Sequence, residues 1–214
     1  MGDKPTVKEV TMFRFSKPDK TTIQSFIGSQ SSLDVTYWGI GSTQGTPPSG
    51  YVVDHTRAKL GEGEAVFQAA QAALQDWKLF QLAWVEPCWP ETPIEPKQTV
   101  AILARVFGLW SLNACRIIYV VQEDRKYGFA YGTLPDHVES GEERFIIEWD
   151  QEDDSVWYNI LAFSRANHVL TRIAYPMTRR LQKRFARDSV LAMKQAVAPT
   201  PHSGHTPDTL PVKS

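Results

Sequence analysis

The sequence predicts an α+β fold in which a curved antiparallel sheet grips a long C-terminal helix. From Thr99 onward apolar residues recur with a period of two through five consecutive segments, the mark of strands whose two faces meet different surroundings. The connections between these segments are short, so the simplest topology is an antiparallel meander. Beyond them the period lengthens to that of a helix with an apolar stripe and a basic remainder.

In chain order, residues 12–15 read as a short strand and 22–28 as a short helix. Gly39, Gly41, Gly45, Pro47, Pro48 and Gly50 then mark a turn-rich connection whose spacing does not fit a phosphate loop. Residues 51–53 read as a strand ending at Asp54-His55. A helix follows over 64–80, with Val66, Phe67, Ala70, Ala73, Leu74 and Trp77 on its inward face. Residues 82–85 form another strand and run into a turn through Pro87, Pro90, Pro93 and Pro96.

The five period-two segments are 99–107, 114–122, 126–134, 143–149 and 155–164. In the fourth, Phe145, Ile147 and Trp149 share one face; the fifth is largely apolar on both faces, which predicts cover on both sides. Pro176 sits in the first turn of the closing helix, which runs to about Val197. Leu170, Ile173, Ala174, Met177, Leu181 and Phe185 form its inward stripe. Arg172, Arg179, Arg180, Lys183, Arg184 and Arg187 decorate the rest.

With 214 residues, 42% of them hydrophobic and 22% charged, the composition is that of a globular domain with a substantial core. One domain over 13–197 accounts for the pattern, preceded by a partly ordered segment at 1–12. The tail 198–214 is poor in large apolar residues and is expected to be disordered. A net charge of −1 and the absence of an aromatic RNA platform argue against nucleic acid as a partner. Cys88 and Cys115 are far apart and lack metal-ligand spacing, which suits a reducing, cytoplasmic compartment and two buried thiols. No leader peptide or membrane-spanning apolar run is read, no metal or cofactor is expected, and no GxSxG, Walker, HExxH or dinucleotide motif occurs.

Candidate chemistry concentrates in two stretches. His137 lies in a connection with Asp136, Glu139, Glu142 and Glu143 nearby and Arg144 following. The group offers a general-base pair, a divalent-metal site or simply a solvated charged loop. Asp54-His55-Thr56-Arg57 offers His55 at a cavity mouth, oriented by Asp54 or Arg57; the plainer reading is a turn capped by Asp54 with Arg57 in an ion pair. Tyr131 and Trp110 stand out among the aromatics because Gly132 and Asn113 lie close by. Arg116, in an otherwise apolar strand, reads as outward-facing. The basic face of the last helix reads as a solvated surface, with anionic lipid headgroups as a sharper alternative.

Four stretches carry a family resemblance: Asp54-His55-Thr56-Arg57 with Leu60-Gly61-Glu62-Gly63; Arg116-Ile117-Ile118-Tyr119-Val120-Val121; Gly128-Phe129-Ala130-Tyr131-Gly132-Thr133-Leu134-Pro135-Asp136-His137 with Glu139-Ser140-Gly141-Glu142-Glu143-Arg144-Phe145; and the closing segment from Tyr175-Pro176 through Gln182-Lys183-Arg184-Phe185-Ala186-Arg187. Together they resemble the domain-of-unknown-function family nineteen-ninety of bacteria and plants. Ala166, where that family often carries proline, departs from the pattern at a turn. The family supplies no activity to carry over.

The element order also resembles the helix-grip plan of START and Bet v 1-like proteins. That plan implies a cavity between sheet and helix, suited to an apolar or amphipathic small molecule. The expected ligand contacts are Asp54, Arg57, Trp110, Asn113, Tyr131, Glu142 and Arg144. An enzyme in the same cavity, lyase- or cyclase-like with His137, His55 and Tyr131 as candidate catalytic residues, is the alternative; a membrane-surface or envelope-associated pore-forming protein is a third.

Overall fold

The computed structural model describes residues 13–166 and 175–198. The expected N-terminal segment, the lead-in containing Leu170, Ile173 and Ala174, and all but the first residue of the expected disordered tail lie outside the described residues. Eight strands form one antiparallel sheet: β1 (Phe13–Arg14), β2 (Val52–Glu62), β3 (Val85–Pro87), β4 (Thr99–Val106), β5 (Leu109–Glu123), β6 (Lys126–Thr133), β7 (Glu139–Trp149) and β8 (Ser155–Ala166). Their spatial order is β2-β8-β7-β6-β5-β4-β3, with β1 paired to the start of β5. The helices are α1 (Lys20–Gln30), α2 (Glu64–Gln75) and α3 (Tyr175–Val197).

The meander from β4 to β8 is the expected one. Two boundaries differ in a way that matters for the site. The strand expected to stop at Asp54-His55 runs on to Glu62, because all of β2 pairs with β8 through Val52↔Ser164 to Glu62↔Ser155. Asp54 to Arg57 is therefore strand rather than turn. The strand expected from Glu143 begins instead at Glu139, paired with Ala166. The helix expected over 64–80 breaks after Gln75: Trp77 takes a left-handed conformation (φ 57°) and a 3-10 turn, Lys78–Phe80, follows. Burial of the Trp77 ring, whose Nε1–H donates to Thr92 O at 2.9 Å, holds it there.

The sheet curves, with register shifts at Leu60 and Ile118 adding twist, and its concave face carries the main core. Phe129, Phe145, Ile147, Tyr158 and Ile117 pack there against Phe67, Ala70 and Leu74 of α2 and against Trp77, Phe80 and Met193. The C-terminal half of α3 is tied down by Ser189 Oγ to Tyr158 Oη at 3.0 Å and by Trp84 Nε1–H donating to Asp188 Oδ2 at 3.0 Å.

The convex face is covered as well. Ile23 and Phe26 of α1 pack on Ala101, Leu103, Leu112 and Ala114. Arg116 points outward on this side, as expected. Its guanidinium donates to the carbonyls of Ser31 and Leu33, both at 2.8 Å, just beyond α1.

Glu142, 2% exposed, anchors the remaining cover. Its Oε2 accepts from Tyr37 Oη (2.8 Å) and Gly41 N–H (2.7 Å), and its Oε1 from Thr43 N–H (3.0 Å) and Thr43 Oγ1 (2.5 Å). Gly132 makes room for this arrangement, since a Cβ there would lie 2.2 Å from Tyr37 Oη. Replacing Glu142 by alanine strands four donors in a dry environment. Urea unfolding should show a loss of about 3 kcal/mol, with the 36–45 segment losing its hydrogen-exchange protection first.

Candidate functional site

Where the N-terminal half of α3 lies over the concave face, the core gives way to a cavity of about 570 Å³. Side chains that alternate inward along six strands form its wall: Asp54 and Thr56 of β2, Ile102 and Ala104 of β4, Asn113 of β5, Tyr131 and Thr133 of β6, Glu139 and Glu143 of β7, and Ile160, Ala162 and Ser164 of β8. Met177, Leu181, Gln182, Phe185 and Ala186 of α3 close it. Phe13 and Phe107, the latter 75% exposed, border it at the far side of the sheet. Voids in a packed core rarely exceed a water molecule, whereas small-molecule sites run from about 300 to 1,000 Å³.

The lining is mostly apolar, with its polar groups concentrated near the start of β7. Tyr131 Oη donates to Glu143 Oε2 at 2.8 Å. Gln182 donates to Glu139 Oε1 at 2.5 Å and to Ser164 Oγ at 2.9 Å. Arg179 makes a two-pronged ion pair with Asp54 and also donates to Gln182 Oε1. Both glutamates are half-buried in the cavity wall, and that burial raises each carboxyl from its ordinary 4.5 to about 7. Burial likewise pushes the Tyr131 phenol well above its ordinary range, assisted by the neighbouring Glu143 charge. His137 accepts the Glu139 N–H at Nδ1 (3.0 Å), and burial depresses it from 6.5 to about 4, so it is neutral at pH 7.

Among the residues singled out in the sequence, the structure brings Asp54, Asn113, Tyr131 and His137 together on this cavity. His55 and Glu142 border it, but their functional atoms are engaged elsewhere. His55 Nε2 meets Asn159 Oδ1 at 3.0 Å, and Glu142 anchors the convex cover. The remaining three lie off the cavity. Arg57 is stacked 3.8 Å above Trp157 rather than ion-paired, and Trp110 sits on the convex side near Lys17 and Arg105. Arg144 donates to Thr43 O at 2.7 Å. A turn capped by Asp54 is likewise replaced by the ion pair to Arg179, because β2 continues past it.

Glu139 and Glu143 enter the sequence reading only as carboxylates near His137, Glu139 in the connection and Glu143 at the start of the expected strand. The signal that finds them is parity: counting back by twos from Phe145 along one strand face reaches Glu143 and Glu139. Among the described residues, no group of three or more His, Cys, Asp or Glu is arranged to hold a metal ion. The basic face of α3 is partly spent within the fold. Arg184 stacks on Trp84, and both Arg184 and Arg187 pair with Asp188. Among the described residues, no helix is long and apolar enough to cross a membrane.

A curved antiparallel sheet closed over a cavity by its C-terminal helix is a helix-grip domain. A family model described as "Domain of unknown function (DUF1990)" matches residues 36–192, and the chain belongs to that family. A UPF0548 protein of Dictyostelium discoideum is 37% identical over 215 residues, covering 91% of this chain and all of that one. A UPF0548 protein of Deinococcus radiodurans is 36% identical over 188 residues, covering 82% and 94%. Among solved structures, a START superfamily protein from Mycobacterium smegmatis aligns over 69% of this chain and 97% of its own, with 14% identity and a TM-score of 0.49. The protein Ara h 8.0201 aligns over 69% and 98%, with 12% identity and a TM-score of 0.45.

The two raised carboxyls predict an uncommon pH response. Between about 4.5 and 7 the folded state keeps protons that the unfolded chain has lost. The stability contributed by Glu139 and Glu143 is therefore complete below 4.5 and lost as pH rises through 7. His137 acts oppositely: its contribution is complete above 6.5 and lost as pH falls through 4. Relative to Glu143→Gln, the wild-type unfolding free energy in urea should fall by about 2 kcal/mol from acid to neutral pH. A constant difference across that range would mean that Glu143 ionises as an exposed carboxyl does.

Proposed function

We propose that this protein binds an amphipathic small molecule in the cavity between the sheet and α3. One observation carries the reading: a space of about 570 Å³, walled mainly by apolar side chains and polar at one end. An apolar space of this size forfeits dispersion contacts that a hydrocarbon body would restore. A ligand's polar end would meet Asp54, Tyr131, Glu139, Glu143 and Gln182, with Asn113 on the facing wall. His137, neutral and half-buried, would shape that end rather than charge it.

Native mass spectrometry of the purified protein, followed by denaturing extraction, tests the reading. A co-purifying compound of a few hundred daltons is expected. Ala162→Phe, which places a ring in the cavity wall, should lower its occupancy by at least about tenfold while leaving the circular dichroism spectrum unchanged. Equal occupancy in the two proteins would mean that the compound sits elsewhere.

A second reading, acid–base catalysis in the same cavity, is favoured by the Tyr131–Glu143 hydrogen bond to a carboxyl raised to about 7. It places the chemistry on that pair rather than on His55 or His137. A compound whose mass changes on incubation with wild type but not with Glu143→Gln would support it. An unaltered compound would remove it.

A further inference from the structure

We propose that the ligand of this cavity carries a protonated primary or secondary amine seated against Glu139 and Glu143; this rests on the cavity reading above. Three carboxyl groups face the polar end: Asp54, Glu139 and Glu143. Asp54 already has its counter-ion in the two-pronged pair with Arg179. Glu143 accepts one hydrogen bond, from Tyr131 at Oε2, and Glu139 one from the Gln182 side chain at Oε1. Neither glutamate forms an ion pair among the described residues. Lys183 lies at the rim, where it also lines a shallow neighbouring groove.

Among the described residues, the polar end of the pocket thus holds more carboxyl groups than cations, with the Arg179 charge acting on Glu139 as well as on Asp54. A buried carboxylate without a counter-ion is costly, and a cation arriving with the ligand removes that cost. An alkylammonium fits because its N–H groups would engage the open oxygens Glu143 Oε1 and Glu139 Oε2. A hydroxyl offers a single O–H donor and no charge, while a carboxylate would be repelled. Phe80, Tyr131 and Phe185 line the cavity as one stacked aromatic group, with Phe80 centred 5.9 Å from Tyr131 and 5.2 Å from Phe185, and extend its apolar wall. Ile102, Ala104, Ile160 and Ala162 provide the apolar wall along which a hydrocarbon body would lie.

The test uses the full chain and the neutral fluorophore N-phenyl-1-naphthylamine, displaced by dodecylamine, dodecanol or dodecanoate at about pH 8, where the alkylamine keeps its proton. Dodecylamine should displace the probe at a concentration at least about tenfold below dodecanol, and dodecanoate should be the weakest. Glu143→Gln and Glu139→Gln should each shrink the amine advantage to about threefold or less, the amine and the alcohol being compared on the same variant so that any change in probe affinity cancels. Ala162→Phe should abolish displacement and probe binding together. If dodecanol or dodecanoate matches dodecylamine on the wild-type protein, the amine assignment is overturned while the cavity reading stands. That comparison decides the matter even if a variant fails to fold. If the probe is not taken up at all, both fall.

Discussion

Successive side chains of β7 leave the sheet on opposite sides, and along this strand the alternation delivers three carboxylates to two different environments. Glu142 goes to the convex face, where four donors from Tyr37, Gly41 and Thr43 surround it. Glu139 and Glu143 go to the concave face and meet an apolar cavity instead. A shift of one residue in the pairing of β7 with β8 would exchange these environments and leave Glu142 facing hydrocarbon. The convex cover and the charge of the cavity therefore depend on one register.

The two ends of α3 divide the labour. Its C-terminal half is fastened to β8 through Ser189, to Trp84 through Asp188 and into the main core through Met193. Its N-terminal half spans the cavity and is held by polar bridges at the edge, from Arg179 to Asp54 and from Gln182 to Glu139 and Ser164. Charged side-chain contacts can reform after a small displacement more readily than an interdigitated core can. The helix is thus anchored at one end by packing and held at the other by polar bridges.

The meander and the amphipathic helices were legible in the sequence because they rest on local periodicity, and the family resemblance because it rests on contiguous stretches of specific residues. The site was legible only in part. Tyr131 and Asn113 stand out as polar groups in apolar strands, and both line the cavity. Trp110 and Arg144 looked equivalent to them but lie on the other face. Glu139 was hidden by a strand boundary: reading the stretch before Glu143 as a connection erased the parity that places it inward beside Glu143. Asp54 lost its apparent turn because β2 continues for as long as β8 offers a partner, and pairing between segments about a hundred residues apart leaves no local trace.

By itself the sequence determined that an antiparallel sheet would be closed by a long helix, since hydrophobic period and short connections suffice for that. Only the tertiary structure decided which carboxylates are buried, which arginine neutralises Asp54, and where packing stops and a cavity begins. Those outcomes depend on strand register and on contacts between distant segments. Neither periodicity nor residue type at a single position specifies them.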